Sequence, residues 1–202
     1  IRLYTGPAYQ PINGFLRQIA NLTGKHRTRL ARDVRLTYAS TVRHICDGIR
    51  KLAAVATAEE LAAPLYRGVR GELPNAFWFP DEQGMVIATD AAFMSTSVAR
   101  ETPLHYMGGE KNVLWELRPG PQTDEAFHRG ADVAMLSQFA AEREVLFPPC
   151  TMLRVLRRGA GGEGEGVAAG GPDRRHAGLR VSSDCFELQK RFIAIEVQPS
   201  FV

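Results

Sequence analysis

Phe139-Ala-Ala-Glu142-Arg143-Glu144-Val-Leu-Phe-Pro-Pro149 is a loop that ends in two carboxylates and then enters an apolar run closed by Pro-Pro. If the pair opens a strand, residues i and i+2 point to one face, roughly 7 Å apart at about 3.3–3.4 Å rise per residue. Glu142 and Glu144 then look into one space and Arg143 faces away. Two acids aimed at one pocket suit chemistry that must stabilise one cation and engage another. The spacing alone is also that of a solvated strand end, and Glu163-Gly-Glu165 repeats it inside a Gly-rich stretch.

Working outward, Leu65-Tyr66-Arg67-Gly68-Val69 and Phe93-Met94-Ser95-Thr96-Ser97 precede the acids. An Arg-Gly on one strand, a Ser-Thr-Ser on a second and a Glu-x-Glu on a third follow in that order. In this series the chain resembles the arginine-specific mono-ADP-ribosyltransferases. The opening Tyr4-Thr5-Gly6-Pro-Ala-Tyr9-Gln-Pro-Ile-Asn13-Gly-Phe-Leu16-Arg17 is similar to that family's N-terminal helical region. The resemblance covers residues 1–156 and the last strand.

It implies NAD as co-substrate, a protein arginine as acceptor, and no metal. Arg67 is a fixed, always-charged donor fork suited to phosphate. Gly68, lacking a side chain, lets its backbone approach a planar carboxamide. Ser95 matches the serine that holds the nicotinamide ribose and orients the catalytic acid. Ser97 shares its strand face and is placed with it at the cofactor, whereas Thr96 takes the opposite, structural face. Glu144 matches the catalytic glutamate that stabilises the cation developing on ribose as neutral nicotinamide departs. Glu142 matches the glutamate that makes acceptors of arginines. A guanidinium pKa of about 12.5–13.8 makes it a poor nucleophile until a carboxylate orients it and takes its proton.

Arg129-Gly-Ala-Asp132-Val-Ala-Met-Leu136-Ser137-Gln138-Phe139 matches the loop that meets protein substrate in the family, with Phe139 as substrate contact or core residue. The segment 98–111, with Arg100, His105 and Tyr106, occupies the place of the phosphate–nicotinamide loop. Its aromatic partner is not assigned, because the spacing after Ser97 departs from the pattern.

The chain of 202 residues is 45% hydrophobic and 23% charged, which fits one soluble globular core. No apolar run approaches the roughly 20 residues of a membrane span. The sequence starts at Ile1 with no secretory leader in this segment, so an excised domain or mature product is expected. Cys46, Cys150 and Cys185 form no close pair, which argues against a disulfide framework or structural zinc and favours a reducing compartment. A secreted or injected effector is the other reading. The five histidines show no metal-ligand spacing. A basic stretch from Arg17 to Lys51 is read as the solvated face of a helix; it lacks the motifs of a nucleic-acid surface.

Residues 10–62 read as helical, with Val34, Tyr38, Val42, Ile45, Ile49, Leu52 and Val55 as one packing stripe. Thr57-Ala-Glu-Glu60 has capping-box spacing and should start a short helix that Pro64 stops. Strands are expected at 65–69, 85–88, 92–97, 112–118, 144–147, 151–157 and 186–197. The expectation is one α+β domain over 1–202, a helical region 1–62 on a β core 63–202 built as a split sheet or sandwich; that the core is two packed sheets forming an NAD cleft is what the resemblance implies. Residues 159–178 have too few large apolar groups to offset ordering entropy and are expected to be a flexible loop. Gly159-Ala-Gly161-Gly-Glu-Gly164 mimics a dinucleotide fingerprint, but the glycines and Pro172 that follow preclude the helix that motif requires.

Three functions remain open on this reading: arginine ADP-ribosyltransferase, NAD glycohydrolase with Glu142 idle, and an inactive NAD-fold module that binds a partner protein.

Overall fold

The computed structural model describes residues 1–21, 38–73, 77, 79–82, 85–108, 111–121, 127–156 and 185–201. The stretch 159–178 lies outside the described residues, as do Val34 and the basic residues Lys25, Arg27, Arg29, Arg32 and Arg35.

The helical text resolves into separate pieces. A π-type turn over Tyr4–Ala8 leads into α1 (Tyr9–Ala20). Helix α2 spans Ala39–Ala53 and buries Ile45, Ile49 and Ala53, one position per turn, with Tyr38, Val42 and Leu52 partly buried beside them. Val55 lies past the end of α2 and is exposed, so the stripe ends at Leu52. Helix α3 (Ala58–Ala62) begins on a formed capping box: Thr57 Oγ1 accepts from Glu60 N at 3.2 Å, and Glu60 Oε2 accepts from Thr57 N at 2.7 Å. Its last residue precedes Ala63, which is extended as the residue before a proline must be.

Nine strands follow among the described residues: β1 (Leu65–Arg70), β2 (Ile87–Asp90), β3 (Met94–Ser97), β4 (Asn112–Leu117), β5 (Ala131–Asp132), β6 (Glu144–Phe147), β7 (Thr151–Val155), β8 (Cys185–Glu187) and β9 (Lys190–Ser200). A short helix α4 (Glu101–Tyr106) sits between β3 and β4. The last expected strand, 186–197, is in fact a hairpin of β8 and β9, turned by Leu188 and Gln189 with φ of 48° and 60°. Those are type I′ positions, and Leu-Gln carries none of the Asn-Gly signal that marks such turns. Strand β5, two residues long, was not expected.

Hydrogen bonding links the strands in one path, β2-β7-β9-β4-β1-β3-β6-β5, with β8 paired to β9. The split into two sheets takes the form of a near-break in this path: β1 and β3 are joined by the single pair Tyr66↔Ser97. Met94, Val145 and Phe147 from one side of that joint pack with Leu65, Trp115, Leu153 and Ile195 from the other, so the two parts face each other across one core. Alternation along β6 explains the layering. Val145 and Phe147 enter this core, while Leu146 points the opposite way, into a second core with Ile12, Ile45, Ile49 and Phe93. Strand β4 is buried on both faces, which its Val113-Leu-Trp115 run anticipates: Val113, Trp115 and Leu117 face the main core and Leu114 packs under Leu104 and Met107.

Candidate active site

The near-break between β1 and β3 leaves a hollow, and the residues singled out from sequence surround it. Arg67, at mid-β1, is opposite Trp115. On β3, Ser97 is opposite Glu144 and Ser95 opposite Leu146, so Ser95 and Glu144 are diagonal neighbours on adjacent strands. A cavity of about 450 Å³ is lined by Arg67, Ser95, Glu142 and Glu144 together with Tyr4, Asn13, Arg17, Tyr106 and Phe139. A second hollow of about 170 Å³, lined by Gly68 and Ser97 among others, shares Arg67, Ser95, Tyr106, Glu142 and Glu144 with the first. The larger volume lies within the roughly 300–1,000 Å³ of small-molecule sites.

Arg67 is anchored before any ligand arrives. Its Nη1 donates to the Ser95 carbonyl at 2.8 Å, and its Nη2 to Asp90 Oδ2 at 3.0 Å. Burial pulls the guanidinium pKa down, Asp90 pushes it back up, and nearby Arg17 lowers it. Asp90 also accepts from Arg17 Nη2 at 3.3 Å and from Ala92 N at 3.0 Å. One carboxylate thus holds two guanidiniums at the cavity wall.

Glu144 opens β6 at 6% exposure. Burial raises its carboxyl above the usual carboxylate range, the Ser95 side-chain hydrogen bond opposes the shift, and the charge of Glu142 adds to it. Glu142 reaches the same space by a route the strand reading missed. It ends a 3₁₀ turn over Ala140–Glu142, and Arg143 is left-handed at φ 49°, ψ 51°. The i, i+2 alternation of a strand therefore does not apply to the two acids; the left-handed residue turns both side chains inward while Arg143 stays exposed. Tyr106 OH donates to Glu142 Oε1 at 2.5 Å.

Ser97, expected at the cofactor, is 4% exposed and its hydroxyl is engaged. It donates to the Glu142 carbonyl at 2.7 Å and accepts from Ala99 N at 2.9 Å. Thr96 is structural, donating to the Val145 carbonyl at 2.7 Å. Gly68 has a packing reason beside any ligand: a Cβ there would sit 2.9 Å from the Pro103 carbonyl and 3.1 Å from Met107 Cε. Phe139 lines the larger cavity and is 53% exposed. Arg100 points away, toward Glu187 and Glu116 and over the Phe192 ring at 5.7 Å.

Sequence reasoning assigned no site role to Asp90, Asn13, Arg17 or Tyr4. Asn13 mimics a peptide against β3: its Oδ1 accepts from Phe93 N at 3.2 Å and its Nδ2 donates to Tyr4 OH at 2.9 Å and Phe93 O at 3.4 Å. Burial drives the Tyr4 phenol above its ordinary range. Asn13 and Arg17 stand four apart on α1, a spacing that places them on one face, which was the available signal. Among the described residues, no three His, Cys, Asp or Glu side chains are grouped to hold a metal ion, and no helix is long and apolar enough to cross a membrane.

No protein-family model matches the sequence, and no curated protein matches it. Solved structures do match in fold. The ADP-ribosyltransferase HopU1 of Pseudomonas syringae pv. Tomato DC3000 aligns over 95% of this chain and 66% of its own, with 16% identity and a TM-score of 0.54. The ADP-ribosyltransferase Vis of Vibrio splendidus, bound to an inhibitor, aligns over 97% and 69%, with 19% identity and a TM-score of 0.55. The chain spans about two thirds of the length of each, and its fold is that of these ADP-ribosyltransferases.

Proposed function

We propose that the chain is an NAD-dependent mono-ADP-ribosyltransferase whose acceptor is an arginine guanidinium. The observation that carries the reading is the convergence of Arg67, Ser95, Glu142 and Glu144 on one cavity. NAD supplies an activated ribose: the ribose–nicotinamide C–N bond breaks, and its electron pair leaves with neutral nicotinamide. A guanidinium nitrogen of the acceptor then bonds the ribose carbon and gives up a proton.

The residues fit this demand. Arg67 and Arg17, bridged by Asp90, offer donors to the pyrophosphate without stacking two uncompensated cations. The Gly68 side of the smaller hollow takes a flat carboxamide against backbone. Ser95 orients Glu144, whose buried carboxylate places negative charge where the ribose becomes positive. Such a preorganised charge acts mainly in the transition state, so it raises the rate rather than only the affinity. Glu142, nearer the mouth and half-buried, faces the acceptor. Ser97 serves by pinning the Glu142 backbone. Vis is described as a toxin, and a toxin or effector role is the corresponding reading for this chain.

Labelled NAD incubated with agmatine, an arginine analogue, tests the proposal: ADP-ribosyl-agmatine and free nicotinamide are expected. Glu144→Gln should stop nicotinamide release. Glu142→Gln should lose labelling while nicotinamide release persists. Equal loss of both activities in Glu142→Gln would remove the separate roles. Nicotinamide release without any adduct in the wild type would make the chain an NAD glycohydrolase. Neither product would leave an inactive NAD-fold binding module.

A further inference from the structure

We infer that Tyr106 is a positioning residue that fixes the Glu142 carboxylate for the acceptor and thereby sets the ratio of transfer to hydrolysis. The inference rests on the transferase reading above and adds a residue to it.

Tyr106 is the last residue of α4, and the backbone of Tyr106 and Met107 is held from two strands. Arg70 Nε on β1 donates to the Tyr106 carbonyl at 2.8 Å, and Lys190 Nζ on β9 donates to the Met107 carbonyl at 2.6 Å. Leu104 and Met107, on either side, are buried against Leu114, Phe192 and Ala194. Yet the Tyr106 side chain is not part of that core; the residue is 59% exposed. A clamped backbone with an exposed ring is an arrangement for presenting a group, and the group presented is a phenol 2.5 Å from Glu142 Oε1.

Glu142 meets this contact with its own backbone fixed. Its N–H donates to the Phe139 carbonyl at 3.0 Å, and its carbonyl accepts from Ser97 Oγ at 2.7 Å. With the main chain held at both ends and Oε1 held by Tyr106, little rotational freedom remains to the carboxylate. Its second oxygen, Oε2, is then the acceptor offered to an incoming guanidinium. A hydrogen bond from a neutral phenol to a carboxylate is of the stronger, charge-assisted kind. Holding a reacting partner in one orientation removes an entropic cost from the step that uses it. Tyr106 and Glu142 also both line the two hollows, so their contact straps the cleft where the two spaces meet.

Water needs no such alignment to capture ribose, whereas a guanidinium must be oriented and relieved of a proton. Loosening Glu142 therefore acts on the branch to arginine more than on the branch to water. Tyr106→Phe keeps the ring and removes only the hydroxyl, at a position where half the residue faces solvent, so the fold is preserved.

The experiment is product partition under saturating NAD, with agmatine titrated and both ADP-ribosyl-agmatine and ADP-ribose quantified. In Tyr106→Phe the ratio of the two should fall about tenfold, the scale of losing one hydrogen bond to a charged group. The KM for agmatine should rise. In a Glu142→Gln background, which no longer labels agmatine, adding Tyr106→Phe should leave the rate of ADP-ribose release unchanged, because the partner it positions is already gone. A ratio within twofold of wild type in Tyr106→Phe, whatever the change in total turnover, overturns the inference. So does a fall in ADP-ribose release on adding Tyr106→Phe to Glu142→Gln. A wild-type protein that forms neither product overturns the transferase reading itself, and the role of Tyr106 falls with it.

Discussion

Ser97 donates its hydroxyl proton to the Glu142 main-chain carbonyl at 2.7 Å, tying the end of β3 to the loop that carries the outer acid. The same oxygen accepts from Ala99 N at 2.9 Å, so one buried hydroxyl closes two backbone groups on different segments. Ser97→Ala leaves both without this partner. It should cost roughly 1–3 kcal/mol in a denaturant melt and reduce agmatine labelling more than nicotinamide release.

Glu144 provides a stability test whose sign is opposite to that of an ordinary surface acid. Burial raises its folded pKa above the unfolded value, so its favourable contribution is fully present below the unfolded pKa and is lost as pH rises through the folded pKa. At neutral pH the charged carboxylate therefore weakens the fold, and Glu144→Gln should be more stable than wild type. The advantage should shrink as pH falls from the raised folded pKa towards the usual glutamate value, and be gone below it. Urea melts at neutral and acidic pH decide it.

The same raised pKa bears on rate. On the proposed function nicotinamide release uses the Glu144 carboxylate, so the acid limb of its pH–rate profile should lie above the ordinary glutamate value of about 4.3. Glu144→Gln should lower kcat by about 10²–10³-fold above that limb, and the deficit should shrink below it, where the wild-type carboxyl is protonated too. An acid limb at or below the ordinary value would contradict the burial argument.

Asp90 joins Arg67 and Arg17. Asp90→Asn leaves two guanidiniums facing a neutral amide, and should destabilise the protein by roughly 1–3 kcal/mol as well as raise the KM for NAD. Asp90→Glu, which keeps the charge, should recover part of the stability loss.

At Gly68 the methyl of an alanine would meet the Pro103 carbonyl, which is backbone and cannot yield alone. Gly68→Ala should cost about 1–3 kcal/mol by overpacking. Because α4 must move, the transfer-to-hydrolysis ratio should change with it.

Much of the architecture was legible because it follows from local pattern. The one-per-turn spacing of Ile45 and Ile49, the Thr57–Glu60 box and the apolar run of β4 each specify their element without help from distant residues. The approach of Arg67, Ser95 and the acids to one hollow followed from motif order. What failed is what depends on backbone sign or on remote partners. A left-handed Arg143 cannot be told from an extended one in Glu-Arg-Glu, and Leu188-Gln189 gives no turn signal. Asp90 has no motif of its own; its role exists only once Arg17 and Arg67, 73 and 23 residues away, come within reach. Asn13 is similar, since its partner is a main-chain group 80 residues on.

The lone rung between Tyr66 and Ser97 has a mechanical consequence. A ladder crossed once flexes there more readily than where six pairs bind β1 to β4. Arg67 belongs to the larger part and Glu144 to the smaller, so bending at this seam alters the gap between the residues proposed to hold phosphate and to carry the catalytic charge. The Arg67–Ser95 and Tyr106–Glu142 contacts cross the seam as well and limit that compliance. Any spreading along this line is also felt in the main core, because Met94, Val145 and Phe147 pack there against Leu65 and Trp115 from the other side.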